Sequence, residues 1–276
     1  MLVNQLLLKT AKQYPDVPRH HLRALLGFLL QRSSEFLIQH PELEIAENIS
    51  EKFLQLAAEL SGGKPLSRIM NQREFWGLSF LLSEETLDPR PDSETLIEAV
   101  LKICPNRETP LHILDLGTGT GCLIISLLKE YKNAKGVAVD QSANALKTAE
   151  LNGTHNQVSE RLSYVESNWF ENVEGKFDLI ISNPPYISEK DYQTLAKNVK
   201  NYDPKTALIG GEDGFSAYRD IVKLAPQFLK NGGILLLEIG QGQDEMVDFL
   251  LQEYNFKDIQ SFKDLSGIVR CILGEK

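Results

Sequence analysis

The chain is poor in the residues that build metal centres and disulfide frameworks. Its three cysteines, Cys104, Cys122 and Cys271, are odd in number and widely spaced. They fit neither pattern, and a reducing compartment is the plain inference. The five histidines, His20, His21, His40, His112 and His155, show no H-x-x-x-H spacing. No G-x-S-x-G elbow and no G-x-x-x-x-G-K-[ST] loop occurs, which removes the key parts of serine hydrolases and P-loop enzymes. Uncharged apolar stretches fall far short of the ~20 residues a membrane helix requires. The start, MLVNQLLLKTAKQYPDV, has no basic region before its apolar part and no small-residue cleavage site, so no secretory signal is expected. Excess positive charge is also missing, the net charge being −9. Residues 1–75 carry nine basic and eight acidic side chains, so the negative excess lies wholly beyond them. A protein held on duplex nucleic acid by many phosphate contacts is normally basic. A soluble, cytoplasmic protein with no direct nucleic-acid binding and no membrane attachment is the expectation.

The 276 residues are 42% apolar and 24% charged, enough to bury a substantial core. Residues 2–60 read as helix. Leu2, Leu6 and Leu7 begin one apolar stripe, Leu22, Leu25, Leu26, Leu29 and Leu30 form a second, and Ile45, Ile49, Phe53, Leu56, Ala57 and Leu60 a third. Pro15, Pro18 and Pro41 mark the breaks, and Ser61-Gly62-Gly63 followed by Pro65 ends the last helix. A small helical bundle over 1–67 is predicted, then a β-hairpin linker over 68–90 and a larger domain over 91–276. In L-D-P-R-P-D-S-E (87–94), Ser93 or Asp92 is expected to cap the following helix. Glu74, Arg90 and Asp92 lie in polar linker segments, where residue type alone suggests surface or structural roles.

From residue 111 onward apolar strands alternate with helices. LHILDLG (111–117), AKGVAVD (134–140), RLSYVES (161–167), FDLIISN (177–183) and GGILLLEIG (232–240) follow at crossover spacing. Such runs predict a parallel sheet covered on both faces. FKDIQSF (256–262) and GIVRCILG (267–274) are separated by four residues, too few for a crossover helix, so they must pair antiparallel. An α/β sheet of this kind, seven-stranded with a C-terminal antiparallel hairpin, is the layout of the class I, Rossmann-like methyltransferase fold.

Two motifs carry the chemistry. Asp115-Leu-Gly117-Thr118-Gly119-Thr120-Gly121 stands where a strand ends and a helix begins, so that glycines admit a ligand to the backbone and helix-start amides face it. A dinucleotide loop of the G-x-G-x-x-G type needs glycine at 122, where this chain has Cys122. The G-x-G-x-G spacing fits S-adenosyl-L-methionine, which has no pyrophosphate. Asp140, ending the next strand, can accept both ribose hydroxyl protons, and Trp169 after the third strand can cover an adenine. The second motif is Asn183-Pro184-Pro185-Tyr186, at the carboxyl end of the fourth strand. An amide or aromatic amine nitrogen is a poor nucleophile because its lone pair is delocalised. The Asn183 side-chain oxygen and the Pro184 carbonyl can accept its two N–H groups, the two prolines fix those acceptors, and Tyr186 offers a face for stacking. No Lys, His or Cys accompanies the tetrapeptide as a general base.

Taken together, R-E-F-W-G-L-S-F (73–80), L-D-P-R-P-D-S-E (87–94), D-L-G-T-G-T-G (115–121), N-P-P-Y-I (183–187), D-P-K-T-A-L-I-G-G-E-D-G (203–214) and L-L-L-E-I-G (235–240) resemble the release factor glutamine methyltransferases (PrmC/HemK type) over nearly the whole chain. The N-P-P-Y tetrapeptide is shared with DNA adenine and several rRNA or protein amino-methyltransferases; the P-R-P-D-[ST]-E segment selects this family. The resemblance implies methyl transfer from S-adenosyl-L-methionine, leaving S-adenosyl-L-homocysteine, to the glutamine of the Gly-Gly-Gln motif of class 1 peptide chain release factors. It implies cofactor binding by Gly117, Thr118, Gly119, Thr120, Gly121, Asp140, Asn168, Trp169 and Asn183. It implies substrate binding by Asn183, Pro184, Pro185 and Tyr186, with Asn183, Pro184 and Tyr186 catalytic and no metal. Three positions depart from the pattern: Asp88 stands for an aliphatic residue, Asn168 for Asp and Ser93 for Thr. The alternatives are an N-methyltransferase acting on an exocyclic nucleobase amine of DNA or rRNA, and a non-catalytic binding module.

Overall fold

A computed structural model describes all 276 residues as two compact units, Met1–Gln72 with Lys197–Tyr202, and Arg73–Ala196 with Asp203–Lys276. The first unit holds α1 (Val3–Gln13), α2 (Arg19–Leu30), α3 (Ser34–Gln39), α4 (Glu47–Ser61) and α5 (Leu66–Met70). The apolar stripes meet in one core in which Leu6, Leu22, Leu25, Leu26, Phe53 and Ala57 are buried. Helix starts follow local chemistry. Pro18 and Pro65 precede α2 and α5, and the Ser33 hydroxyl accepts the Phe36 N–H at 3.2 Å ahead of α3.

A hairpin of β1 (Gln72–Phe75) and β2 (Leu78–Leu81) leads to α6 (Glu94–Ile103). Then come β3 (His112–Leu116), α7 (Cys122–Glu130), β4 (Lys135–Asp140), α8 (Ala143–His155), β5 (Leu162–Glu166) and β6 (Phe177–Ser182). Short α9 (Glu189–Tyr192) and α10 (Lys197–Tyr202) precede α11 (Ser216–Phe228), β7 (Leu229–Glu238), α12 (Asp244–Glu253), β8 (Lys257–Lys263) and β9 (Val269–Glu275). The seven strands run in the order β5-β4-β3-β6-β7-β9-β8. The pairs from β5 to β7 are parallel, and β9 is antiparallel to both β7 and β8. This is the class I methyltransferase fold expected from the strand spacing.

Alternation along each strand divides the core. Ile113, Leu179, Ile181 and Leu236 face α6 and α7, while Leu114, Leu116, Ile180, Leu235 and Leu237 face α11 and α12. Strand order reverses at β3, which pairs β4 on one edge and β6 on the other; such switch points open the crevice where α/β sheets bind ligands.

The floor of that crevice is held by a buried amide. Asn152 of α8 accepts the Leu81 N–H at 2.7 Å and donates to the carbonyls of Leu81 at 3.0 Å and Thr120 at 2.9 Å. It thus fastens both the hairpin and the glycine loop to one helix. Asn152→Ala leaves these groups without a partner and should lower unfolding stability by about 2–4 kcal/mol, read by denaturant or thermal unfolding. A loss below about 0.5 kcal/mol, the scale of an ordinary surface substitution, would show that the clamp is dispensable.

Candidate active site

Sheet register builds the site. Leu116 of β3 pairs with Val139 of β4 and with Ser182 of β6. The next residues in chain order, Gly117, Asp140 and Asn183, therefore leave the sheet at one level. The Ser182 hydroxyl donates to the Leu116 carbonyl at 2.7 Å and locks the β3–β6 edge at that point.

The three loop glycines take left-handed backbone, with φ of 70° at Gly117, 55° at Gly119 and 79° at Gly121. A Cβ on Gly119 would meet nothing within 4 Å, so open space lies above it. A Cβ on Gly117 would lie 3.7 Å from the Trp169 ring. Gly121 differs, since a Cβ there would come within 2.9 Å of Ile125 and 3.3 Å of Ala149. It packs α7 against α8 and does not line the cavity, unlike its neighbours Gly117 to Thr120. Trp169 itself has φ 48°, which is strained for a bulky side chain and aims its ring over the loop.

Asp140 binds the loop from below. Its Oδ2 accepts the Gly119 N–H and its Oδ1 the Ser142 N–H, both at 2.9 Å. Each oxygen keeps a lone pair for a further donor. Burial pushes its pKa up against these backbone bonds. Asp115 lies deeper, fully buried, with Oδ2 accepting the Thr118 hydroxyl at 2.6 Å and Oδ1 without a partner. Burial first, and the nearby Asp140 charge as well, raise its pKa to about 7. Two carboxyls with raised pKa at the strand ends, one with an unsatisfied oxygen, suit a cationic ligand.

One cavity brings together Gly117, Thr118, Gly119, Thr120, Asp140, Asn168, Trp169, Asn183 and Pro185. Pro184 is buried beneath the turn, and Tyr186 is half-buried behind it. Asn168 is exposed and donates to Glu171 at 2.9 Å. Segment 203–214 frames the tetrapeptide. A Cβ on Gly210 would stand 2.4 Å from the Pro185 carbonyl oxygen, so only glycine allows this approach. The Gly210 N–H donates to the Ile187 carbonyl at 2.9 Å and the Ile187 N–H to the Leu208 carbonyl at 3.0 Å.

Segment 87–94 contributes more than the sequence suggested. Ser93 makes no side-chain cap on α6. The expected cap is wrong because the hydroxyl instead accepts from Asn183 Nδ2 at 3.1 Å, a residue brought to it by β6. Asp92 pairs with Arg270 Nη2 at 3.0 Å. Arg90, expected at the surface or in a structural role, lines the cavity and donates to buried Asp203 at 2.5 Å. Asp88 is buried beside Arg73 Nε at 3.6 Å, and its N–H donates to Asp203 at 3.3 Å. A charged residue is therefore accommodated where the related pattern has an aliphatic one. Glu238, at the end of β7, was not singled out from sequence. It is 2% exposed, near Tyr186 and Ser93, and burial raises its pKa to about 7.

A glycine loop, a strand-end acid and an N-P-P-Y turn at the switch point of this sheet define a class I methyltransferase. Residues 74–201 match the family described as the methyltransferase small domain, and residues 4–70 match the PrmC N-terminal domain. The chain is 41% identical to a release factor glutamine methyltransferase of Agrobacterium fabrum, covering 91% of this chain and 88% of that one. It is 36% identical to one from Buchnera aphidicola subsp. Schizaphis graminum over all of both chains. The chain belongs to the release factor glutamine methyltransferase family. Solved structures with a similar fold include a methyltransferase from Pyrococcus furiosus, with TM-score 0.54 and 18% identity over 80% of this chain and 98% of that one. A 16S rRNA methyltransferase from T. thermophilus in complex with AdoMet and guanosine has TM-score 0.52 and 21% identity, over 74% of this chain and 49% of that one.

The buried carboxyls make stability depend on pH. Asp115 and Glu238 bind a proton more tightly folded than unfolded, so their contribution is full below their ordinary pKa and is lost as pH rises toward about 7. The ligand-free thermal midpoint should therefore fall between about pH 4.5 and 7.5, and Asp115→Asn should flatten that slope. Equal slopes in both proteins would remove Asp115 as a source.

Proposed function

We propose that the chain transfers a methyl group from S-adenosyl-L-methionine to the side-chain nitrogen of the glutamine in the Gly-Gly-Gln motif of class 1 release factors. The observation that carries this is the orientation of Asn183. Its Nδ2 is turned to Ser93, so its Oδ1 is the atom turned away as an acceptor, in the same cavity as the glycine loop and Asp140. The bound cofactor supplies an electrophilic methyl group on a cationic sulfur. Asp140 has one lone pair left on each oxygen for the ribose hydroxyls, the bare backbone at Gly117 and Gly119 admits the ligand, and Trp169 walls the adenine side. Asn183 Oδ1 and the Pro184 carbonyl accept the two amide N–H groups and aim the nitrogen lone pair, while the Tyr186 ring supports the planar amide. Positive charge builds on that nitrogen during transfer, so fixed acceptor dipoles stabilise the transition state more than the neutral ground state.

The helical residues 1–67 dock the protein substrate, and residues 91–276 catalyse. Exposed Leu8, Phe28 and Ile38 on the helical unit support a protein-binding role. Action in the cytoplasm is consistent with three free cysteines and with the absence of any helix long and apolar enough to cross a membrane. The deciding experiment offers labelled methyl donor with intact release factor, a Gln-substituted release factor, DNA or rRNA. Label on the intact factor alone supports the proposal, and label on nucleic acid would move the activity to a nucleobase amine.

Two substitutions probe the roles separately. Asp140→Ala should weaken cofactor binding by roughly 2–4 kcal/mol in calorimetry, because it deletes charge-assisted hydrogen bonds. Asn183→Ala should lower kcat by about 10²-fold, the scale of one preorganised hydrogen-bonding group, with little change in cofactor affinity. Tyr186→Phe should be mild, since its hydroxyl reaches only Glu238 at 3.5 Å, whereas Tyr186→Ala should be severe. A Phe variant as impaired as the Ala variant would show that the hydroxyl, and not the ring, matters.

A further inference from the structure

We infer that Gln243 is a positioning residue that acts through Tyr186, fixing both the backbone and the ring of that tyrosine behind the cavity. The inference rests on the proposed methyl transfer at the N-P-P-Y turn and adds a residue that does not line the cavity. Two prolines fix the middle of the tetrapeptide, but they carry no N–H with which to anchor it. At its exit a side chain supplies the anchor. Gln243 Nε2 donates to the Tyr186 carbonyl at 3.0 Å. The Oε1 of the same amide accepts the Gly240 N–H at 2.9 Å and the Tyr218 hydroxyl at 3.2 Å. A backbone N–H can only donate and a backbone carbonyl can only accept, so these partners fix which way the Gln243 amide points. The Gln243 N–H returns to the Gly240 carbonyl at 3.1 Å, closing the turn ahead of α12 from which the side chain extends.

The ring is held by the same group. A Cβ on Gly240 would stand 3.0 Å from Tyr186 Cδ2, so the ring edge lies directly on the backbone that Gln243 Oε1 holds. Gly214 closes the other side. Its φ is 82°, and a Cβ there would stand 2.6 Å from the Tyr186 carbonyl oxygen and 3.3 Å from Gln243 Nε2. A side chain at 214 would therefore crowd the bond between them. The glycines that end segments 203–214 and 235–240 thus close on Tyr186 from two sides, with Gln243 joining them. Tyr218, fully buried on α11, braces the far end of the amide, its hydroxyl also 3.0 Å from the Glu238 carbonyl oxygen. A glutamine kept only to brace the β7–α12 turn would need Oε1 alone. The Nε2 bond goes to the tetrapeptide and adds nothing to the turn, and that division separates a positioning role from a purely structural one.

The test uses the full chain and intact release factor at about pH 8.5, where an introduced carboxyl is ionised and can only accept. Gln243→Glu keeps an oxygen for Gly240 and Tyr218 but turns a second oxygen to the Tyr186 carbonyl in place of a donor. It should lower kcat about tenfold, the scale of one lost orienting hydrogen bond, with cofactor affinity and KM for the release factor within about twofold of the parent. A turn brace alone would leave kcat unchanged. In a Tyr186→Ala background the same substitution should cost no more than about twofold, because the ring it supports is gone. A readout independent of activity comes from the sequence, in which Tyr186-Ile187 is the one Tyr-Ile pair. Isotopic labelling of tyrosine carbonyl carbons and isoleucine nitrogens therefore gives a single correlated NMR resonance for that peptide bond. Its carbonyl shift should move upfield in Gln243→Glu, as loss of a donor requires. The inference is overturned if Gln243→Glu retains parental kcat, if its penalty is undiminished beside Tyr186→Ala, or if the carbonyl resonance stays in place. A parent protein that methylates no release factor would instead sink the functional proposal, while the carbonyl resonance would still decide whether Gln243 holds Tyr186.

Discussion

Everything at the site hangs on the pairing of β3 with strands on both edges. Leu116 shares one register level with Val139 and Ser182, so Gly117, Asp140 and Asn183 emerge side by side from three separate stretches of chain. Side chains alternate along a strand, so a slip of one residue would turn every side chain of the slipped strand to the opposite face of the sheet. The apolar alternation that assigns Ile113 to one layer and Leu114 to the other is therefore also what aims Asp140 at the loop. Packing and catalysis share one constraint, and core substitutions in β3, β4 or β6 act on both.

Most of this frame was legible in the sequence because it is written in local patterns. Apolar runs closed by glycine or an acid marked the strands, and the four-residue gap before residue 267 forced the antiparallel pair. The glycine loop and N-P-P-Y were legible because backbone freedom and backbone rigidity each need particular residue types. What escaped was long-range. Ser93 looked like a helix cap because Ser before Glu94 is a good local cap, yet its partner is Asn183, 90 positions away. Arg90 was assigned a surface or structural role because it lies in a polar linker segment, whereas its partner Asp203 lies 113 positions on. Glu238 sat inside L-L-L-E-I-G as one polar letter in an apolar run. The signal available there was the contradiction itself, since a carboxyl in a strand buried on both faces is rare without a task.

The two deepest carboxyls also explain why the site is built for positive charge. Neither Asp115 nor Glu238 has both oxygens satisfied by the protein, and burial works against ionising either. Such groups lower the stability of the empty protein near neutral pH, and a cationic ligand beside them returns some of that loss as binding energy. A sulfonium and an ammonium are cations of this kind, and an amide nitrogen becoming positive in the transition state is another. On the proposed function, ligand binding and rate enhancement draw on one field, in which the buried Asp115 and Glu238 add to the cavity-lining Asp140.

In the proposed scheme Asn183, Pro184 and Tyr186 recognise planarity and two N–H groups, properties that a glutamine side chain shares with an adenine amine. Selection between them must come from elsewhere in the chain. Phosphate-bearing substrates need cations to hold them, and the residues beyond 75 carry a net charge of −10 against +1 before them. Arg90, the cation at the cavity wall, is already paired with Asp203 and adds little free positive potential. A neutral glycine-flanked glutamine presents no such charge and reaches the cavity without that repulsion. On the proposed function, the negative excess is a filter ahead of the chemistry, and recognition of the protein substrate falls to the near-neutral helical unit.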